Sequence, residues 1–349
     1  LMVGDRVSDD VAVEEAIEVA ELLGMAVFQS RGAEVSFPTS HPQYYGIHSL
    51  RAQKSRDLLK EFDVVLSVGM DAFDELFYWG DVILSDTQKL IHIDPIPGRV
   101  GRSEPTDVGI ISNCKTGLRA LLTELPQKID EKLVNARKTQ VLKDVKSSRS
   151  IYESSVGAKW DSIPMSPARM MFELAKAIPE NSIIIDDSLS NRAAMRYYFP
   201  ASQRDDLRGV RGQSIGGGIG ATMGAKCAFP DRPVFGIIGD GSAMMTVQGL
   251  WTAVNDDIPC IFVICNNGMY RILKVNFNIY QKEILHELEP SGENLLYSNF
   301  DAPFNLATIA EGMGLYSERV SDPNEITHAV NRALQSGKPS LLDIVIDGE

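Results

Sequence analysis

Two stretches of the sequence decide the fold: Gly239-Asp240-Gly241-Ser242 and, further along the chain, Cys265-Asn266-Asn267-Gly268-Met269. Each stretch directly follows an apolar run, residues 234–238 in the first case and residues 261–264 in the second. Between them, apolar side chains recur at helical spacing, which predicts a helix over residues 245–254. A strand, a helix and a second strand in this order form a crossover unit, and such a unit makes its two strands parallel.

The two polar stretches therefore meet at one edge of the predicted sheet. Parallel strands end on the same side, where open α/β sheets bind ligands, so Asp240 and Asn267 come together although they are 27 residues apart. A carboxylate, an amide oxygen and a nearby backbone carbonyl suit Mg²⁺, which usually shares its site with phosphate groups. Gly239 and Gly241 permit a tight turn into the following helix, whose N–H groups favour phosphate. The pattern predicts a site for magnesium and phosphate.

The rest of the chain repeats this alternation of strands and helices. Residues 1–125 and residues 166–349 each contain short apolar runs separated by helical patterns, whereas residues 126–165 are polar and lack a strand pattern. We therefore predict an α/β fold with two doubly wound domains, mainly parallel sheets and a linker between the domains. The predicted strands cover residues 1–4, 25–28, 64–68, 90–93, 183–185, 234–238, 261–264 and 341–346.

Composition and charge exclude several classes of protein. The 349 residues carry a net charge of −13, which argues against broad contact with nucleic acid. No apolar run approaches the roughly 20 residues of a membrane span, so we expect no membrane partner. The four cysteines lack paired or zinc-like spacing, and we expect all of them in the core of a protein from a reducing, cytoplasmic compartment. The chain opens at Leu1 with a strand pattern and no initiator Met, which we interpret as the cut end of a fragment.

A glycine-rich stretch offers a competing interpretation. Residues 216–221 fit the G-x-G-x-x-A dinucleotide pattern, and Asp240 follows roughly 20 residues later, as a ribose-binding acid would. That pattern should follow an apolar strand, but residues 205–214 are polar and rich in glycine. The context therefore disfavours a nicotinamide-dependent oxidoreductase.

The Gly-Asp-Gly-Ser stretch followed by Asn-Asn at this spacing resembles the diphosphate-binding motif of thiamine diphosphate (ThDP) enzymes. The resemblance implies that ThDP and Mg²⁺ are the cofactors, and that Asp240, Asn267 and the carbonyl of Met269 bind Mg²⁺. The segment Gln213-Ser214-Ile215-Gly216 resembles the family segment that bends the cofactor, which gives that role to Ile215. The further cofactor-binding residues that we expect are Gly239, Gly241, Ser242, Ser188 and Ser190.

The amino-acid sequence as a whole is most similar to the benzoylformate decarboxylase group of this family. The resemblance covers a middle domain (residues 1–125) and a ThDP-binding domain (residues 166–349), and it implies non-oxidative cleavage of a small-molecule 2-oxo acid. That group has a catalytic histidine in its middle domain, but the matching position in this sequence is Leu76. The catalytic residues therefore stay unknown, and His286, about 20 residues after the metal motif, is a candidate.

Two other functions stay open at this point. One is an acetolactate synthase-type carboligase, whose middle domain carries FAD. The stretch Met70-Asp71-Ala72-Phe73 lacks the arginine-rich pattern expected there, so we do not expect FAD. The other is a non-catalytic nucleotide-binding module, and the intact pair of Asp240 and Asn267 argues against it.

The resemblance also implies a third domain. The glutamate that activates the cofactor in this family belongs to an N-terminal pyrimidine-binding domain, supplied across the interface of a homodimer or homotetramer. We find no such domain in this chain, so we expect the chain alone to be inactive as a carboxy-lyase. Substrate specificity would depend on Leu189, Ile272 and Leu273 and on loops of that domain.

Overall fold

The computed structural model describes residues 1–30, 35–48, 53–71, 73, 83–201, 207–209, 214–287 and 295–348. The chain divides into two compact units, Leu1–Tyr152 and Glu153–Glu349. In each unit strands alternate with helices along the chain, and every strand pairing found in the described residues is parallel apart from one isolated bridge. The predicted α/β class with doubly wound, parallel sheets is confirmed.

The first unit is organised around a six-stranded sheet. Its strands are β1 (Met2–Val3), β2 (Val27–Gln29), β3 (Tyr44–Ile47), β4 (Val64–Val68), β5 (Lys89–Asp94) and β6 (Val108–Ile111). Its helices are α1 (Asp5–Asp9), α2 (Val13–Leu23), α3 (Gln53–Leu59), α4 (Cys114–Glu124) and α5 (Glu131–Gly157), and the division between the units falls within α5. The strand order is β3-β2-β1-β4-β5-β6, so the chain reverses its direction of winding between β1 and β4.

The second unit contains the sheet that positions the candidate site. Its strands are β7 (Ile183–Asp187), β8 (Leu207–Gly209), β9 (Val234–Gly239), β10 (Ile261–Asn266), β11 (Tyr316–Val320) and β12 (Ser340–Val345). Its helices are α6 (Pro167–Ala177), α7 (Arg192–Tyr198), α8 (Gly217–Ala228), α9 (Asp240–Met245), α10 (Gly249–Asn255), α11 (Arg271–Glu283), α12 (Leu306–Gly312) and α13 (Ile326–Ser336). The strand order is β11-β12-β10-β9-β7-β8.

The central strands of the second sheet are buried along nearly their whole length because helices cover both faces. Every residue of β7 and β10 is buried, and so are the first five residues of β9. Phe262 and Phe235, from adjacent strands, are fully shielded from solvent. This continuous burial fixes the height at which each central strand ends, and the candidate site is built on those ends.

Local signals mark several helix boundaries as predicted. The Ser166 hydroxyl accepts the N–H of Arg169, and Pro167 is the first residue of α6. Gly24 ends α2 in the left-handed region, at φ 62°, a conformation that glycine adopts without steric cost.

Two expectations differ from the structure. The helix expected over residues 245–254 is divided into α9 and α10, because the chain turns at Thr246, whose carbonyl accepts the N–H of Gly249. Cys227 is exposed, whereas the other three cysteines are buried as expected. The polar segment over residues 126–165 contains the long helix α5, of which few residues are buried. In the described residues no helix is long and apolar enough to cross a membrane.

The burial of β10 gives a test of this core. Replacement of Phe262 by alanine leaves a cavity between the sheet and its covering helices, and we expect it to lower the free energy of unfolding by about 3–5 kcal/mol. The matched change Ser317→Ala on the edge strand β11 should alter it by less than about 0.5 kcal/mol. Urea denaturation followed by tryptophan fluorescence measures both, and equal losses would contradict the described core.

Candidate active site

The carboxyl ends of β9 and β10 lie side by side and form the base of the candidate site. Gly239 pairs with Cys265 in the sheet, so Asp240 and the residues that follow β10 leave the sheet at the same level. Asp240 Oδ1 accepts the N–H of Gly241 at 2.7 Å, and Oδ2 accepts the N–H of Gly268 at 2.7 Å. The expected meeting of Asp240 with the Asn267 loop is therefore present in the structure.

The environment of Asp240 favours a bound cation. Burial raises the pKa of this carboxyl to about 6, although the backbone N–H groups of Gly241, Gly268 and Asn267 lower it in part. A carboxylate kept from water in this way is ionised at little cost only when a positive charge lies beside it. The residue is only 3% exposed, and its two oxygens still have a free lone pair after accepting these N–H groups.

The structure distinguishes the two asparagines that follow β10. Asn266 is buried, and its Nδ2 donates to the carbonyl of Phe304 at 2.9 Å and to Asp343 Oδ1 at 2.8 Å. Asn267 instead lines the cavity, and its Oδ1 accepts the N–H of Met269 at 3.2 Å. Asn266 is thus hydrogen-bonded within the core, and Asn267 is the asparagine that lines the cavity.

A cavity of about 310 Å³ opens at these strand ends. All nine residues predicted to bind cofactor or metal line it: Ser188, Ser190, Ile215, Gly239, Asp240, Gly241, Ser242, Asn267 and Met269. The other lining residues are Leu189, Asn191, Met245, Cys265, Tyr270, Arg271, Ile272 and Leu273. The structure therefore gathers the predicted set in one place, while the role of each member stays a prediction.

The carboxylate of Asp187, at the end of β7, holds the glycine-rich turn against the site. Its Oδ2 accepts the hydroxyl of Ser242 at 2.5 Å and the N–H of Gly218 at 2.9 Å. The Ser242 Oγ in turn accepts the N–H of Gly216 at 2.8 Å. Burial raises the pKa of Asp187, and the bonds from Ser242 and Gly218 oppose that rise. One buried side chain therefore connects the end of β7 with the first turns of helices α8 and α9.

This turn presents Ile215 to the cavity. Gly216 has φ 96°, and a Cβ at this position would lie 2.8 Å from the Met245 Cβ, so glycine is required. The Thr246 hydroxyl donates to the Gly216 carbonyl at 2.7 Å. Ile215 itself is 37% exposed and lines the cavity, so a large apolar side chain projects from a turn that is bonded on both sides.

The loop after β7 has fewer free donors than expected. Both the N–H and the hydroxyl of Ser188 bond to Asp186 Oδ1, at 3.0 and 2.7 Å. Asp186 is also paired with Arg192. Ser188 therefore shapes the wall of the cavity, and Ser190 is the serine of this loop that can offer a hydroxyl to a ligand. Leu189, between them, has φ 51°, a strained conformation for a branched residue.

The residues present fit a diphosphate bound through Mg²⁺. The donors at the base of the cavity are oxygens, from Asp240 and Asn267, as a hard cation requires. A Cβ on Gly239 would meet only the Asp187 carbonyl, at 3.8 Å, so this glycine leaves open space beside the carboxylate. A Cβ on Gly241 would lie 2.4 Å from the Tyr270 ring, so glycine lets the loop after β10 approach closely. Among the described residues, no group of three or more His, Cys, Asp and Glu forms a competing metal site.

Two other predicted positions are not part of this cavity. His286 is exposed beyond the end of α11 and is absent from the described lining. Helix α11 begins at the cavity and is 13 residues long, which puts its far end about 20 Å away. Leu76 lies outside the described residues.

Sequence reasoning missed several lining residues because nothing in their local pattern marks them. Cys265 counts as a core residue from the sequence, and it is buried, yet it also lines the cavity. Burial raises the pKa of its thiol, so it stays protonated and is not a nucleophile. Arg271 and Met245 also line the cavity. A cation directly after the metal motif is the one signal that could have drawn attention to Arg271.

Two domain models of one enzyme family match the chain. Residues 1–121 match the central domain of the thiamine pyrophosphate enzyme family, and residues 190–344 match its C-terminal TPP binding domain. The chain is 29% identical over 357 aligned residues to a "probable acetolactate synthase large subunit" of Methanococcus aeolicus, covering 99% of this chain and 58% of that protein. It is 25% identical over 359 aligned residues to benzoylformate decarboxylase of Pseudomonas aeruginosa, covering 99% of this chain and 60% of that protein.

A solved structure shows the same fold. The ThDP-dependent 4-hydroxybenzoylformate decarboxylase of Rhodococcus jostii superposes with a TM-score of 0.78 at 22% identity, covering 99% of this chain and 60% of that one. The chain thus spans about three fifths of the length of the proteins that it matches.

Asp187 provides a test of how the turn is held. Asp187→Ala leaves the Gly218 N–H and the Ser242 hydroxyl without their acceptor, and we expect a loss of about 2–3 kcal/mol in the free energy of unfolding. Asp187→Asn can still present one amide oxygen, so we expect it to recover part of this loss. Asp231→Ala, which removes an exposed carboxylate of the same unit, is the control. Urea denaturation compares the three variants, and an alanine variant as stable as the parent would exclude the role given to Asp187.

Proposed function

Because the chain belongs to the thiamine diphosphate-dependent enzyme superfamily, of which it carries the central and C-terminal domains, we propose that it anchors Mg²⁺ and ThDP in an enzyme that releases CO₂ from a 2-oxo acid. The reaction proposed is non-oxidative, as in the benzoylformate decarboxylase group. The observation that carries the proposal is the meeting of Asp240 with the Asn267 loop at the ends of two adjacent parallel strands.

The proposed roles follow from the geometry of the cavity. Asp240, Asn267 and the Met269 carbonyl would hold Mg²⁺, and the open face at Gly239 would receive the diphosphate. Ile215 would support the cofactor from its bonded turn, so that the reacting parts are held in a fixed orientation. Bound ThDP supplies the electron sink that lets a carboxylate next to a carbonyl leave as CO₂. The protein groups contribute positioning and charge.

The cavity lacks a second carboxylate among its described residues, since Asp240 is the one acid that lines it. The family resemblance implies a glutamate that activates the cofactor, and we assign this role to no residue of the chain. We propose that the glutamate comes from a pyrimidine-binding domain across the interface of a homodimer or homotetramer.

The absence of paired cysteines in the described residues supports a proposed cytoplasmic location.

A second candidate is carboligation of the acetolactate synthase type. The acetolactate synthase relative is more similar to the chain than the benzoylformate decarboxylase relative. Both reactions begin with loss of CO₂ from a 2-oxo acid, so the same site serves either one. The product separates them, because a decarboxylase releases an aldehyde and a carboligase releases a longer 2-hydroxy-3-oxo acid. We propose that neither reaction requires FAD here.

The metal site is tested by removing one charge. Asp240→Asn keeps the shape of the side chain but removes the anionic ligand, and we expect it to weaken Mg²⁺-dependent binding of ThDP about a hundredfold. Isothermal titration of ThDP into the full chain, with Mg²⁺ and then with excess EDTA, measures the effect. The control is Asp257→Asn, an exposed residue with φ 48°, a conformation that asparagine tolerates.

Three results would contradict the proposal. They are that the parent chain binds no ThDP, that EDTA leaves its affinity for ThDP unchanged, or that Asp240→Asn weakens ThDP binding no more than Asp257→Asn does. Binding of ADP in preference to ThDP would instead indicate a nucleotide-binding module.

A further inference from the structure

Arg271 is a cation that the proposed anchoring of ThDP does not use. It lies two residues after Met269 and lines the cavity. Among the described residues, no hydrogen bond or ion pair engages its guanidinium. Other partly buried arginines of the chain, such as Arg192 and Arg6, pair with buried aspartates. A guanidinium that is partly removed from water without a partner is costly, so an anion from outside the chain is its natural complement.

The position of Arg271 in its helix leads to the same conclusion. Arg271 is the first residue of α11, and the first turn of this helix contains no acidic residue and no side-chain cap. The amino end of a helix carries a partial positive charge, so a cation there is repelled while an anion is attracted. Arg271, which lines the cavity, and the helix end therefore make one region of positive charge there. Within the described lining, Arg271 is the one permanently charged cation.

The chemistry of the proposed reaction limits which anion this can be. An arginine bound to the carboxylate that leaves as CO₂ would stabilise the substrate more than the transition state, because negative charge moves away from that carboxylate during the step. Such a contact would slow the reaction. Arg271 is compatible with loss of CO₂ when it binds a different anionic group, one that is still present in the product.

We propose that Arg271 binds a carboxylate or sulfonate of the substrate that the reaction retains. This inference rests on the proposed function. It narrows the substrate class to 2-oxo acids with a second acidic group or, for a carboligase, to acceptor substrates that carry an anionic group. The apolar side chains of Leu189, Ile272 and Leu273 line the same cavity and provide the contact for a short aliphatic chain that joins the anion to the reacting carbon.

The test measures binding of an unreactive anion to the full chain. Propanoate and its neutral analogue propanamide are titrated by saturation-transfer NMR, with and without Mg²⁺ and ThDP. We expect Arg271→Met to weaken propanoate binding about tenfold, the usual effect of a lost charge-assisted hydrogen bond, and to leave propanamide binding unchanged. Arg271→Lys should recover part of the affinity. The control is Lys274→Met, which removes a cation from the same turn of α11 but not from the described lining.

A parallel arm identifies the source of the anion. ThDP and thiamine, which lacks the diphosphate, are titrated into the parent, Arg271→Met and Lys274→Met. Unchanged ThDP affinity in Arg271→Met, together with weaker propanoate binding, supports the proposal. A loss of ThDP affinity with unchanged propanoate binding overturns it, because Arg271 then serves the cofactor. Equal effects of the methionine variants at 271 and 274 overturn it as well. Failure of the parent to bind ThDP would contradict the proposed function, while propanoate binding to the cofactor-free chain still tests Arg271.

Discussion

The bonds of Asp187 are the constraint on which the rest of the candidate site depends. This carboxylate ends a buried strand, so the sheet fixes its position, and it accepts bonds from Ser242 and Gly218. Those two residues belong to the first turns of helices α9 and α8, which come from separate parts of the chain. Burial of a carboxylate costs free energy of folding unless several donors hydrogen-bond to it. The hydrogen bonds that satisfy Asp187 therefore also fix the distance between helix α9, which begins at Asp240, and the turn that carries Ile215.

The register of the parallel sheet provides the second level of organisation. Gly239 is opposite Cys265 and Asp187 is opposite Ile238, so the loops after β7, β9 and β10 leave the sheet at nearly the same level. Parallel pairing makes this convergence independent of the sequence distance between the loops. The arrangement explains why one crevice can combine the carboxylate of Asp240, the apolar side chain of Ile215 and the cation Arg271, although each comes from a separate part of the chain.

The sequence predicts the centre of each sheet better than its edges. The four strands that the apolar runs do not predict are β3, β6, β8 and β11, and these are the edge strands of the two sheets. A central strand is buried on both faces and reads as a continuous apolar run, whereas β6 is mostly exposed and β11 is only partly buried. An edge strand gains its conformation from pairing with a neighbour, and that information is not local. The break between α9 and α10 was missed for a similar reason, because the Thr246 side chain that bonds there reaches a distant carbonyl.

For the candidate site, too, the sequence predicts some features and not others. Residues that directly follow strands, such as Asp240 and Asn267, could be identified from the sequence because the parallel topology makes strand ends converge. The sequence could not show which donors bond within the protein and which are free to bind a ligand. Ser188 and Ser242 look like phosphate ligands, yet their hydroxyls donate to Asp186 and Asp187. Arg271 looks like an ordinary surface residue of a helix, yet it faces the cavity without a partner in the described chain. Residue identity and spacing predict where polar groups gather, and only the tertiary hydrogen bonds determine which of them remain available to a ligand.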